Sequence, residues 1–251
     1  MKYILFVFLI AFSPYISFAQ ETALLMKEAD NFERQFKEPE ALGKYKDVLV
    51  TEPVNSKALI KAAELSCRVG ARLEKKNDKR LTYESALAFA QRAVATDSLN
   101  PASWCVLSFA NSKLSEIETD NKKLGAYIAA VKANADKALR LNSNFGFASF
   151  MEGKWHFDML TVNWAKRMAI KASYGNLPDA DIDAAIDYLE RCKKADPYFM
   201  LNYWVLAQAY KQKNRPAQQI ETLNKLVKLP IRTFDDTAIK AEAQKMLDGL
   251  N

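Results

Sequence analysis

The chain has 251 residues, of which 49% are hydrophobic and 26% charged, with a formal charge of +6. This is the composition of a folded globular protein and excludes an intrinsically disordered one, which would be poorer in apolar residues. The mild basicity comes without dense Lys/Arg clusters and interleaved aromatics, which excludes a surface that tracks nucleic-acid phosphates.

Residues 1–19 have the three parts of a secretory signal: Lys2, an apolar run from Tyr3 to Phe12, and Ser17-Phe18-Ala19 with small residues at minus three and minus one. Cleavage is expected after Ala19, placing the mature chain, 20–251, in the periplasm or outside the cell. Loss of Lys2 lowers the formal charge to +5. The residue immediately after the cleavage point is Gln20 and not Cys, which excludes a lipid-modified N-terminal Cys. An uncleaved anchor is the rival reading, but the apolar run is short for a bilayer of about 30 Å, and no later stretch approaches the roughly 20 apolar residues of a membrane helix.

Beyond the signal the chain reads as helices. Every Pro falls where a helix would start or end. The spacing predicts pairs at 22–36 with 39–51, 56–76 with 80–96, 101–119 with 122–141, 145–172 with 179–195, and 198–213 with 216–228. A last helix over 234–249 is expected to cap the open end, because a stacked array must cover its final apolar face.

The pairs repeat. Val48 to Asn55, Ala93 to Asn100, Ala138 to Phe145 and Cys192 to Phe199 align without gaps, each running from a small or β-branched residue to an acid or Asn and then to Pro or Ser. The small residue lets a neighbouring helix approach, and the Pro or Ser ends one helix and opens the next. Ala41 and Tyr45, Ala86 and Ala90, and Ala185 and Leu189 precede three of these markers on the same helical face. Tyr203, Leu206, Ala207 and Tyr210 fit the first helix of a tetratricopeptide repeat, as Trp104, Leu107 and Ser108 do in part. Marker spacings of 45, 45 and 54 residues exceed the usual period of about 34, so the middle units carry extra length. The expected fold is all-α, a tetratricopeptide-like solenoid of about five antiparallel pairs plus a capping helix.

The fourth unit is more specific. Gly153-Lys154-Trp155-His156-Phe157, Trp164-Ala165-Lys166-Arg167, Tyr174-Gly175-Asn176-Leu177-Pro178, Ala184 to Leu189 and Ala195-Asp196-Pro197, followed by Leu201-Asn202, Leu206 to Tyr210 and Leu229-Pro230, together resemble the regulator of microtubule dynamics family. The resemblance runs from about Lys57 to the C-terminus. It implies a tetratricopeptide-like adaptor, not an enzyme. The animal members are described as microtubule-associated or as tethers between organelle membranes, which an exported chain would not reach, so the resemblance carries the fold and not the partner.

Candidate chemistry is sparse. Glu152 and His156 share a helical face and could supply two metal ligands, but His156 is the only His in the chain and no third ligand lies nearby. A Ser-His-acid triad would need that same His and lacks a Gly-x-Ser-x-Gly turn. Glu116, Glu118 and Glu152 offer carboxylates on helices, where acids are ordinarily solvated. No two of the seven Gly lie within three positions, so there is no phosphate-cradling loop. Cys67, Cys105 and Cys192 are an odd set without close pairing and read as buried core thiols. No cofactor, metal or nucleic acid is expected.

The expected function is a non-catalytic scaffold of the bacterial cell envelope holding a protein or peptide in the groove formed by successive first helices. Trp104, Lys154, Trp155, Trp164, Arg167, Asn202 and Tyr210 are the candidate lining residues, since aromatics and Arg dominate binding hot spots. The competing expectation is an envelope glycan-binding module or enzyme with Glu152 at its centre. For Trp155, Trp164 and Tyr174 with Arg167, the plainer and favoured reading is that the extra length of this unit needs extra bulky core. The sequence leaves partner and oligomeric state open.

Overall fold

The structure is a computed structural model, and it describes residues 13–250, with side chains from Gln20 onward. The expected signal segment therefore lies mostly outside the described residues. Twelve helices follow one another, with no strand among the described residues. They are α1 (Ser13–Arg34), α2 (Glu38–Thr51), α3 (Ser56–Ala71), α4 (Lys76–Thr96), α5 (Pro101–Ile117), α6 (Asn121–Leu141), α7 (Gly146–Thr161), α8 (Trp164–Tyr174), α9 (Ile182–Ala195), α10 (Met200–Gln212), α11 (Pro216–Leu226) and α12 (Asp236–Asp248). No described helix is long and apolar enough to cross a membrane.

The repeated marker is the end of each second helix. Glu52, Asp97, Asn142 and Asp196 terminate α2, α4, α6 and α9, their N–H groups donating to Val48, Ala93, Ala138 and Cys192 at 2.8 to 2.9 Å. Those four acceptor residues are fully buried, which is why the marker begins with a small or branched side chain. The Asp97, Asn142 and Asp196 side chains then turn the chain by accepting from Leu99, Asn144 and Tyr198 two residues on. Asn55 and Asn100 cap the next helices, accepting from Ala58 and Ala102. Phe145 and Phe199 occupy the same place in the later units without a side-chain cap and instead pack against the core clusters.

Successive helices pack as antiparallel pairs, α1 with α2, α3 with α4, α5 with α6, α7 with α9 and α10 with α11, while α3 also touches α5 and α7 also touches α10. The first helices thus lie side by side in a row, as in a tetratricopeptide solenoid. Helix α12 closes the far end, burying Ala243 and Leu247 against Met200, Tyr203, Leu223 and Leu226. The largest core lies in the fourth unit, around Phe150, Met151, Trp155, Ile186, Leu189 and Leu206. Cys67, Cys105 and Cys192 are free and fully buried, and burial pushes all three thiols well above their ordinary pKa.

One helix departs from expectation. The segment read as a single helix over 145–172 breaks after Thr161, because Asn163 adopts an extended conformation and its side chain accepts from Lys166 N–H at 2.8 Å, starting a new helix. An Asn side chain that satisfies backbone donors locally competes with continuation of the helix. Helix α8 then packs on α6. There the Tyr174 side chain covers Gly125 so closely that a Cβ on Gly125 would sit 2.5 Å from it. The chain leaves α8 at Gly175, with φ of +115°, a conformation that only glycine adopts without strain.

Candidate functional site

Helix α8 is the extra length of the fourth unit, and a cleft lies on each side of it. The cleft toward α5, α6 and α7 holds about 400 Å³ and has an apolar floor that includes Leu124, Ile128, Met151, Trp155, Met159 and Ile170. Its rim carries Glu116, Glu118, Lys154, Asp158 and Lys166. The cleft on the other side holds about 280 Å³ between α8 and the 175–180 loop, lined by Trp164, Arg167, Met168 and Lys171 among others. Met159 and Ile170 belong to both walls, so α8 is the partition between them.

The seven residues proposed from sequence fall into two groups. Lys154 stands on the rim of the first cleft, paired with Asp158 one turn on. Trp164 is 75% exposed beside the second cleft, and Arg167 stands next to it, its guanidinium donating to the carbonyls of Met159 (2.8 Å) and Val162 (3.3 Å). Trp155 is 3% exposed, and its indole N–H donates to the Ile128 carbonyl at 2.9 Å, so it forms the floor and not the rim. Asn202 is fully buried and donates to Leu189 O at 3.0 Å. Tyr210 is buried with its hydroxyl 2.8 Å from Glu190. Trp104 packs at the start of α5, its indole donating to Ser98 O at 2.9 Å, with Lys137 over its ring. Trp104, Asn202 and Tyr210 line neither cleft.

Glu152 and His156 share a face of α7 as expected, but each is engaged. Glu152 is completely enclosed, with Lys132 Nζ 2.8 Å from its Oε2 and no hydrogen-bond partner for Oε1. Burial pushes its carboxyl up to about 7 against the pull of Lys132. Burial also lowers the pKa of His156, whose Nδ1 accepts from Asp181 N–H at 3.1 Å while its ring stacks on Tyr188. Among the described residues no group of three His, Cys, Asp or Glu could hold a metal ion. Glu152, on which the glycan reading depends, lines neither cleft beside α8.

A charged row along α3 escaped the sequence reading. Lys61 lies 2.9 Å from Glu33 and 3.5 Å from Glu64, Arg68 lies 2.5 Å from Glu64 and 3.4 Å from Glu38, and Arg72 lies 2.5 Å from Glu38. Burial works against the Glu64 carboxylate, but Arg68 and Lys61 outweigh it and hold its pKa below the ordinary value. The signal was present as charges at 61, 64, 68 and 72 on one side of a helix whose other residues are mostly small and apolar.

A family model described as Regulator of microtubule dynamics protein 1-3 matches residues 25–251. Regulator of microtubule dynamics protein 1 of Mus musculus is 26% identical over 174 residues, covering 68% of this chain and 56% of that protein. The protein of the same name from Caenorhabditis elegans is 24% identical over 117 residues, covering 47% and 52%. The chain spans about half the length of these curated relatives. Among solved structures, a thermophilic TPR protein of Thermus thermophilus, TTC0263, superposes with a TM-score of 0.66 at 16% identity, covering 89% of this chain and 99% of that one. At that identity the likeness shows the fold alone.

Proposed function

This chain belongs to the regulator of microtubule dynamics family, and on that premise we propose that it is a non-catalytic scaffold of the cell envelope that holds a protein or peptide partner along its row of first helices and the clefts beside α8. The single observation that carries this reading is the pairing of Trp164, 75% exposed, with Arg167 at the mouth of a cleft built by a helix inserted into the repeat. Trp164, Met168 and Tyr174 are all exposed on this one short helix, an apolar patch of the kind that marks interaction sites, and Trp and Arg are the side chains enriched where partners bind most tightly. Lys154 stands on the rim of the other cleft beside α8, where it would contact polar groups of a partner that spans the helix.

Residues 1–19 support export, which would place the partner in the envelope and away from the microtubules that the relatives' names refer to. The N-terminal sequence of the protein recovered from its native cell tests this part. Gln20 as the first residue agrees with cleavage after Ala19, and a retained Lys2 overturns it.

The binding surface is tested by crosslinked recovery of partners from the native cell with the wild type and with a Trp164→Ala, Arg167→Ala variant whose melting temperature is unchanged. Loss of the same partners from the variant is the expected result. Undiminished recovery would remove α8 from the binding surface.

A further inference from the structure

The two ends of the helical row touch. The segment between α11 and α12 reaches the residue that caps the end of α3, where Arg72 Nη1 donates to Asp235 Oδ1 and Oδ2 at 3.2 and 3.1 Å across 163 positions of sequence. The ring of Phe234 lies over the same guanidinium, its centroid 4.6 Å from Cζ. The opposite edge of the guanidinium is held by Glu38, 2% exposed, with Oε2 2.5 Å from Nη2. Arg72 is thus fixed from behind by a buried acid and presents one free edge and one free face. The planar fork matches a carboxylate on its edge and an aromatic ring on its face.

The segment that fills this position is itself shaped for presentation. Asp236 accepts from the N–H groups of Arg232 and Thr233 at 2.7 and 2.8 Å, closing a turn that holds Phe234 and Asp235 outward. Arg232 ties the other side of the turn to the α9–α10 junction, over the Tyr198 ring and 3.5 Å from Asp196. Yet the contact is superficial: Phe234 remains 57% exposed and the Asp235 side chain 41%. Exposed ion pairs and cation–π contacts are individually weak, so this closure can be displaced. A cleft of about 520 Å³ continues beside it, with Glu33, Lys61 and Arg68 on one wall and Ile231 and Arg232 on the other.

We propose that Arg72, backed by Glu38, is a binding site for a short peptide carrying an aromatic residue followed by an acid, and that the chain's own Phe234-Asp235 occupies it as a removable latch. The proposal extends the peptide-scaffold reading and rests on it, but places a second contact away from α8, where the end of α3 meets the segment before α12. A partner bearing this motif would open the ring while it binds. Its apparent affinity is reduced by the fraction of chains that are latched, so removing the latch tightens binding by that factor.

The test is fluorescence anisotropy of a labelled peptide copying residues 230–237, titrated with the full chain. A Phe234→Ala, Asp235→Asn variant is expected to bind it about tenfold more tightly than the wild type, corresponding to a latch closed in about nine chains of ten. A peptide with the same two changes should not bind. Because Arg72 also neutralises Glu38, its role is tested with Arg72→Lys, which keeps the charge but loses the fork; most of the peptide binding should be lost at an unchanged melting temperature. Equal affinity in wild type and latch variant, or full binding by Arg72→Lys, would overturn the proposal. Either result leaves the Trp164/Arg167 partner recovery as a separate measurement, so a failed latch and a failed scaffold are told apart.

Discussion

Lys132 Nζ lies 2.8 Å from Glu152 Oε2 and 5.5 Å from the centroid of the Trp155 ring, which puts an ammonium and a fully enclosed carboxyl at the joint between α6 and α7. Burial raises the Glu152 carboxyl from 4.5 to about 7, while burial works against Lys132 but Glu152 and Asp136 outweigh it and hold its pKa above the ordinary value. An acid raised on folding binds its proton more tightly in the folded state, so its stabilising share is full below pH 4.5 and is lost as the pH rises through about 7. The loss is at most about 3 kcal/mol, from 1.36 kcal/mol per pKa unit. His156, lowered by burial, acts with the opposite sign, gaining stability as the pH rises toward its ordinary value of 6.5. The difference between wild type and Glu152→Gln isolates the carboxyl. Urea midpoints between pH 5 and 8 should fall more steeply for the wild type than for the variant, and parallel curves would show that Glu152 does not titrate in this window.

Two glycines should respond oppositely to the same change. A Cβ on Gly153 would lie 2.6 Å from Leu189 Cγ and 3.0 Å from the Ala185 carbonyl, since α7 and α9 meet there almost backbone to backbone. Gly153→Ala must push α9 away and is expected to cost about 1–3 kcal/mol. A Cβ on Gly43, inside α2, meets nothing within 4 Å. Gly43→Ala should stabilise by about 0.5–1 kcal/mol through lower backbone entropy of the unfolded chain. Denaturant unfolding of both variants checks the pair, and a Gly153→Ala protein as stable as wild type would mean that α7 and α9 can move apart freely.

The contrast explains what the sequence made legible. The helix ends were readable because Asp97, Asn142 and Asp196 each terminate a helix and turn the chain through their own side chains, a local device that leaves the same spacing each time. The break at Asn163 was not, since the apolar pattern runs through it and its local mark is a single Asn whose side chain caps the new helix at Lys166 N–H. Trp155 and Trp164 look alike in sequence, nine positions apart, yet one is in the core and the other in water. Which is which depends on where α8 lands on α6, a long-range packing fact carried by Tyr174 and Gly125. The Arg72–Asp235 contact joins residues 163 positions apart and has no local signature at all.

The three thiols give an independent check on the described cores. Cys67 packs between α3, α4 and α5, Cys105 beside Ala138 and Ala148, and Cys192 among Phe150 and Leu189. Only the thiolate attacks a disulfide reagent, and burial holds all three thiols protonated. In native protein at pH 8, an aromatic disulfide reagent should therefore release almost no chromophore over minutes, and three equivalents in denaturant. Rapid native labelling of Cys192 in particular would show that the fourth-unit core opens readily.

The two tryptophans of the fourth unit separate stability from recognition. Trp155 fills the space between α6, α7 and α8, touching His156 edge-on at 5.0 Å and donating to Ile128 O. Its replacement by Ala removes a large buried ring and leaves a cavity, for which about 3–5 kcal/mol of destabilisation is expected. Trp164 sits at the first turn of α8 with three quarters of its surface in water, so Trp164→Ala should change stability by no more than about 0.5 kcal/mol. Partner recovery should show the reverse order once only folded protein is compared: Trp155→Phe, which keeps most of the buried ring, retains the partner, and Trp164→Ala loses it. The measurement is thermal unfolding and crosslinked recovery on the same preparations. Loss of the partner with Trp155→Phe at an unchanged melting temperature would move the binding surface to the cleft on the other side of α8, whose floor Trp155 forms, and retention with Trp164→Ala would remove the mouth of the cleft beside Trp164 from it.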